Sequence, residues 1–359
     1  MKVLLLGEFS SLHRYLKEGL EKIGIDVELY SQGDGWKQIP GADKGLPQYK
    51  GGGICEYIKY IWKYYLLIRT IKNYDVVQII NTRMFPTVLS GRFIRKLGKN
   101  NKCISLVSAG EDYPLVKAYK EGKFDFYMYD FDKNELREYN RKFSNRLVKN
   151  ELRIINSADI IIPSLYEYAI GYKEYGEKVS KVIPFPINTD NLCYAPNVVK
   201  KKIVFFHGLN REASKGTAII RKAMEKLQEK YPESVEIIID GHMPFEKYIK
   251  IIEKTNVVID QCLTYGYGIN ACISMAQGKV VMTPCKKETL EAFGIKESPI
   301  INIQADVDQI FSQMEWLVQN KDKITEIGEQ SRTYVEEMHD YTRVAQQYLE
   351  AWESTQCFK

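Results

Sequence analysis

Residues 1–30, MKVLLLGEFSSLHRYLKEGLEKIGIDVELY, decide the class of fold. Val3–Leu6 is a short, continuously apolar run, as expected of a parallel strand buried on both faces. A loop of Gly7, Glu8, Ser10 and Ser11 leads into 12–23, where Leu12, Leu16, Leu20 and Ile23 recur at helical spacing. Gly24 stops the helix, and 26–30 supplies a second strand. Strand, loop, helix, glycine stop and strand form a βαβ unit, the building block of doubly wound parallel sheets.

The alternation continues outward from this unit. Helices are expected over 57–72 and 86–97, and strands over 75–80 (DVVQII), 102–107 and 159–163 (DIIIP), the last led into by 149–156. Residues 119–145 lack clean periodicity and read as an excursion from the sheet. VIPFPINTD (182–190), with Pro184 and Pro186, marks a boundary. A second series then starts: strands at 203–208 (IVFFHG), 235–240, 257–260 and 280–283, with helices at 217–230, 245–254 and 271–277. The closing segments, 306–319 and 322–353, are helical. The expected architecture is α/β, two tandem Rossmann-like domains with a cleft between them. The division runs 1–185 for an acceptor domain and 186–340 for a nucleotide-sugar domain, with 341–359 a C-terminal helix returning to the first.

Composition narrows the function classes. A net charge of +5, from 51 basic and 46 acidic residues, is too small for non-specific nucleic-acid binding, which needs many clustered phosphate contacts. Seven cysteines without a C-x-x-C pair read as reduced thiols. No stretch approaches the ~18 uncharged apolar residues of a membrane span. The chain is therefore expected in the cytoplasm, free or peripheral to the inner face of the membrane.

Two loops carry candidate chemistry. HGLNREASKG (207–216) lies between a strand and a helix, where open parallel sheets bind ligands. Gly208 permits a tight turn, Arg211 and Lys215 place two cations four residues apart, and Gly216 lets backbone approach. Two cations beside a helix N-terminus suit a diphosphate without a metal; solvated loop cations are the alternative. TYGYGINACISMAQG (264–278) offers Gly266 and Gly268 as a flexible turn, Asn270 as N-cap and Gly278 as C-cap of a short helix whose N–H groups suit an anion.

These stretches, IVFFHG…R…KG followed by VVIDQ…YGYG…SMAQGKVV, resemble the C-terminal domain of GT-B glycosyltransferases of family 4 (group 1). VIPFPINTD is similar to the linker of those enzymes, and 1–31 and YDVVQIINTR to their opening strands. The resemblance implies a retaining, metal-independent transfer of a sugar from a nucleoside diphosphate sugar, with no cofactor besides that donor. The acceptor would be a carbohydrate or a lipid-linked molecule, in bacterial surface polysaccharide synthesis. It assigns the donor diphosphate to Arg211 and Lys215; the two loops themselves offer His207, Gly208, Gly216, Tyr265, Gly266, Gly268 and Asn270 as candidates around the nucleotide sugar. The family also places two glutamates eight residues apart at the second loop, where this chain has Tyr265 and Ile273. Either the chain is a divergent enzyme, or it is an inactive binding or scaffold subunit.

Weaker candidates lie at the strand ends of the first domain. Glu111 and Asp112 follow the strand 102–107 and could orient or deprotonate an acceptor hydroxyl, or cap a turn. Gly7 and Glu8 have the same status at the first strand. Asp130-Phe131-Asp132 has the spelling of a metal-binding D-x-D, but the doubled architecture makes a surface excursion the better reading. None of the four histidines has metal-ligand spacing, and no metal is expected. The helix 56–74, with Trp62, five tyrosines and Lys59, Lys63, Arg69 and Lys72, could contact an anionic membrane surface. An ordinary packed helix is the favoured alternative there, because the charges are not confined to one face.

Overall fold

The computed structural model describes residues 1–125, 144–210 and 212–359, with the backbone alone at 245. Arg211 and Asp130-Phe131-Asp132 lie outside the described residues. Contacts divide the chain into two compact units. Met1–Lys123, the described part of Glu138–Pro186, and Tyr341–Lys359 form the first; Ile187–Asp340, with Phe124 and Asp125, form the second.

In chain order the first unit runs β1 (Lys2–Leu6), α1 (Leu12–Lys22), β2 (Asp26–Ser31), β3 (Lys44–Gly45), α2 (Gly53–Thr70), β4 (Val76–Ile79), α3 (Ser90–Asn100), β5 (Cys103–Ser108), α4 (Tyr113–Lys120), α5 (Asn145–Ser157), β6 (Ile160–Pro163) and α6 (Tyr166–Tyr172). Its strands pair in the order β3-β2-β1-β4-β5-β6, all parallel. The order reverses between β1 and β4, and such a reversal opens a crevice at the carboxyl ends of the two strands. Leu4, Leu6, Val77, Ile79, Ile104 and Leu106 belong to one buried cluster with Tyr64, Phe93 and Ile154 from the helices.

The α1 helix forms because Leu12, Leu16 and Leu20 share a face, and that face is buried. Each such leucine contributes about 1.5–3 kcal/mol by leaving water. Ser11 does not cap the helix with its side chain. Glu8 does so instead, accepting from the N–H groups of His13 (3.3 Å) and Arg14 (2.8 Å). At Gly19 a Cβ would lie 2.1 Å from the Tyr341 carbonyl oxygen, so only glycine lets the C-terminal helix approach this closely.

The second unit continues β7 (Ile203–Leu209), α7 (Glu212–Lys215), α8 (Thr217–Lys230), β8 (Val235–Gly241), α9 (Phe245–Lys254), β9 (Val257–Ile259), α10 (Ile269–Ala276), β10 (Val280–Thr283), α11 (Lys287–Phe293), β11 (Ile301–Asn302), α12 (Val307–Gln319) and α13 (Lys323–Met338). The last helix, α14 (Tyr341–Glu353), belongs to the first unit. The second sheet has the order β11-β10-β9-β7-β8, again all parallel, with its reversal between β7 and β9.

Several boundaries differ from the sequence expectation. The segment 322–353 is two helices, parted at His339 and Asp340, because Ile187 bridges to that point and its N–H donates to the His339 carbonyl (2.7 Å). The helix expected at 86–97 starts only at Ser90. Helix 269–276 is capped by Gly268 in an extended conformation, so Asn270 stands inside the helix and is not its N-cap. Periodicity marks the apolar face of a helix but not where its first hydrogen bond closes.

Candidate functional site

The β7/β9 reversal gathers most of the residues singled out in the second unit. His207, near the end of β7, is fully buried. Its Nδ1 lies 2.8 Å from the Ile259 carbonyl on β9, and its Nε2 lies 2.8 Å from Thr217 Oγ1 at the start of α8. Burial, then the nearby Lys215 charge, push its pKa down to about 4, so the ring is neutral. It ties two strands to a helix, and its nitrogens are already engaged.

Lys215 is not a solvated loop cation. It is buried, and its Nζ donates to Asp260 Oδ1 at 2.7 Å, with both side chains 6 % exposed. An ammonium taken out of water needs such a partner. An ammonium carries three donors, and Asp260 uses one of them. Gly216 follows with φ +73°, and a Cβ there would lie 2.3 Å from Cys262 Sγ, which explains the glycine. Gly208 lies within β7, two residues before Asn210, whose Oδ1 is buried without a hydrogen-bond partner among the described residues. Such an acceptor at a strand end is a ready contact for a ligand hydroxyl or amide.

The second loop returns to the same place. A Cβ at Gly268 would lie 3.8 Å from Asp260 Oδ2, so the start of α10 sits beside the Lys215–Asp260 pair. The helix runs 269–276, and its first turn presents N–H groups with the positive end of the helix dipole. Gly266 holds the turn through its carbonyl, which accepts from Thr264 Oγ1 (2.7 Å) and Gln261 Nε2 (3.2 Å). Tyr265 is buried; its hydroxyl accepts from the Asp125 N–H (3.0 Å), and Lys286 Nζ lies 3.9 Å from its ring centroid. Ile273 is fully buried in the core. Both positions aligned with the family glutamates are thus packing positions.

At the β1/β4 reversal of the first unit, a cavity of about 240 Å³ is lined by Glu8, Gln32, Asp34, Asn81 and Arg83 with Phe9, Tyr64 and Met84 among its apolar walls. Gly7 closes β1, donating its N–H to the Tyr30 carbonyl (2.9 Å). Burial pushes the Glu8 carboxyl up to about 7 against the helix-capping N–H groups. Asp112 does not line this cavity. It caps α4, accepting from the Leu115 N–H (3.1 Å) and the Tyr172 hydroxyl (2.6 Å), and burial lifts it to about 7 as well. Both of its oxygens are engaged, which is the capping alternative. Glu111 is half-buried beside it.

Behind Glu8 runs a buried polar relay that sequence reading missed. Trp352 Nε1 donates to Ser105 Oγ (3.1 Å), and Ser105 donates to Gln78 Oε1 (2.9 Å). Gln78 Nε2 lies 3.2 Å from His13 Nε2, whose Nδ1 lies 2.8 Å from the Gly7 carbonyl. Donors and acceptors alternate without conflict only if His13 is neutral and protonated at Nδ1, and burial pushes its pKa down to about 3. The relay joins α14, β5, β4, α1 and β1. Asp260 and Asn210 lie inside the motif stretches but are not singled out by them, and the relay carries no motif; only strand neighbourhood exposes their roles.

Comparison with solved structures gives the fold its name. HepE of Anabaena, solved in complex with UDP-glucose, superposes with TM-score 0.64 at 13% identity, covering 99% of this chain and 100% of that one. Sucrose-phosphate synthase of Thermosynechococcus elongatus gives 0.65 at 14%, with 98% of each chain covered. The UDP-GlcNAc 2-epimerase of Neisseria meningitidis, bound to UDP-GlcNAc, gives 0.55 at 13%, covering 98% and 99%. The fold is GT-B. No family model matches this GT-B chain, and no curated protein matches it by sequence. Among its described residues no helix is long and apolar enough to cross a membrane.

Proposed function

We propose that this GT-B chain transfers a sugar from a nucleoside diphosphate sugar to a hydroxyl acceptor. The observation that carries the reading is the β7/β9 mouth. There a buried ammonium, Lys215, lies with Asp260 beside the amino end of α10, and Asn210 at the end of β7 carries a buried oxygen with no partner among the described residues. The neighbours HepE and the epimerase, solved with UDP-glucose and UDP-GlcNAc, support a nucleotide sugar as the ligand class.

In such a transfer the bond from the anomeric carbon to the diphosphate oxygen breaks, and the acceptor oxygen bonds to that carbon. Negative charge grows on the departing diphosphate. Lys215 and the α10 amides would stabilise it, with Arg211 as the second cation supplied by the loop. Glu8, held near neutrality at the first-unit cavity, is the group suited to take the acceptor proton.

A second reading is a binding subunit without turnover. Its support is specific: Tyr265 and Ile273 are packed where the related enzymes carry carboxylates.

Calorimetry with UDP, UDP-glucose, UDP-GlcNAc and uridine tests the first step. Diphosphate binding should weaken as salt rises, persist in a chelator, and nearly vanish for uridine. Lys215→Met should weaken UDP binding by ~1–3 kcal/mol, and Asn270→Ala should weaken it further. If uridine binds as well as UDP, the diphosphate site is wrong. Tight binding with neither donor hydrolysis nor transfer would select the second reading.

A further inference from the structure

Helix α2 (Gly53–Thr70) buries Tyr64, Leu67 and Ile68 and turns an apolar face the other way. Ile54, Ile58, Trp62 and Leu66, spaced four apart, are 79, 58, 58 and 46% exposed, and Tyr65 joins them. At helical pitch these five side chains share one arc of roughly 120°. They are five of the eleven large apolar side chains exposed among the described residues, gathered on a single helix. The Trp62 ring stacks on Tyr65 (5.4 Å, 26°), and the Arg69 guanidinium lies 5.7 Å from the Tyr65 centroid. Sequence alone suggested a packed helix here, because its charges were scattered. Burial separates two apolar faces instead, one inward and one outward.

The charge around the outward face selects its partner. Between 50 and 72 the chain carries Lys50, Lys59, Lys63, Arg69 and Lys72 against Glu56 alone. Lys59 and Lys63 follow the apolar arc on one border, and Arg69 stands within it. Two copies meeting through this face would set these cations against their own kind, which opposes association. Aliphatic side chains with Trp and Tyr among cations match a surface that is apolar inside and anionic at its rim. A cleft of about 470 Å³ beside the helix is lined by Gln48, Tyr49, Lys50, Glu56 and Lys63 among others, two cations against one carboxylate.

We infer that α2 is a monotopic anchor that lies in the plane of an anionic lipid bilayer, inserting Ile54, Ile58, Trp62 and Leu66 while the cations engage headgroup phosphates. Its 18 residues give a contact of ~27 Å along the surface at 1.5 Å per residue. The anchor stands whether or not the chain transfers sugar.

Flotation of the full chain with vesicles tests it. Vesicles of phosphatidylcholine with phosphatidylglycerol should carry the protein up the gradient, and phosphatidylcholine alone should carry little. Ile58→Glu with Trp62→Glu should cut the partition coefficient at least about ten-fold, with far-UV circular dichroism unchanged because both sites are exposed. Lys59→Gln with Lys63→Gln should cut binding several-fold at low salt and less at high salt. Absence of binding to the anionic vesicles, or equal binding by the Glu variant, overturns the inference. A dimer in sedimentation that the Glu variant abolishes would assign the face to a second copy and overturn it as well.

Discussion

The two sheet reversals are built alike and charged differently. Each uses a buried, neutral histidine to lock a strand end: His13 at the Gly7 carbonyl and His207 at the Ile259 carbonyl. Beside His13 stands a carboxyl that burial holds near neutrality, Glu8, at a cavity lined by further polar side chains. Beside His207 stands an ion pair, Lys215–Asp260, next to the amino end of a helix. One scaffold thus holds a buried carboxyl with a raised pKa at one mouth and a buried ion pair beside a helix terminus at the other. The backbone sets where chemistry can occur, and a few buried charges set which chemistry it is.

The sharpest way to break this comparison is to unbalance the ion pair. Asp260→Ala leaves the Lys215 ammonium buried alone and should cost ~3–5 kcal/mol in urea unfolding. Replacing both, Lys215→Met with Asp260→Leu, should recover most of that stability while UDP binding stays weakened by the ~1–3 kcal/mol of the lost ammonium. Recovery of both stability and binding would show that the pair is only a packing device.

The carboxyl side is tested by pH. Glu8 in the folded chain titrates near 7, above its ordinary value of 4.5. Between those values the folded state holds more protons than the unfolded state, so this group's contribution to stability falls as pH rises from about 4.5 to 7. Glu8→Gln removes that slope. Relative to wild type it should gain up to ~3 kcal/mol between pH 5 and pH 8, less the loss of one capping acceptor. His207 has the opposite sign: with its folded pKa lowered to about 4, stability falls as pH drops from 6.5 towards 4. A Glu8→Gln profile parallel to wild type would place its carboxyl in water.

A smaller effect sharpens the account of the relay. Trp352→Phe keeps most of the ring but strips the donor from Ser105, and should cost ~1–2 kcal/mol. Ser105→Ala in that background should add less than it does alone, since both act on one chain of bonds.

The sequence by itself determined the βαβ alternation, the tandem units and the two loops of the second unit. Those depend on local facts: apolar runs of strand length, helical spacing in 12–23, and glycines at turns such as Gly24 and Gly216. It also located Lys215, as a diphosphate-binding or else a solvated cation, but not its burial against Asp260, because a side chain's partner forty-five positions away follows from which strands become neighbours. The relay from Trp352 to Gly7 and the capping of α1 by Glu8 belong to the same class. So does the outward face of α2, whose residues read identically whether they meet a core or open surface. Periodicity reports which side chains share a face. Only the packed sheet decides what that face meets, because burial and pairing are set by strand order and not by spacing along the chain.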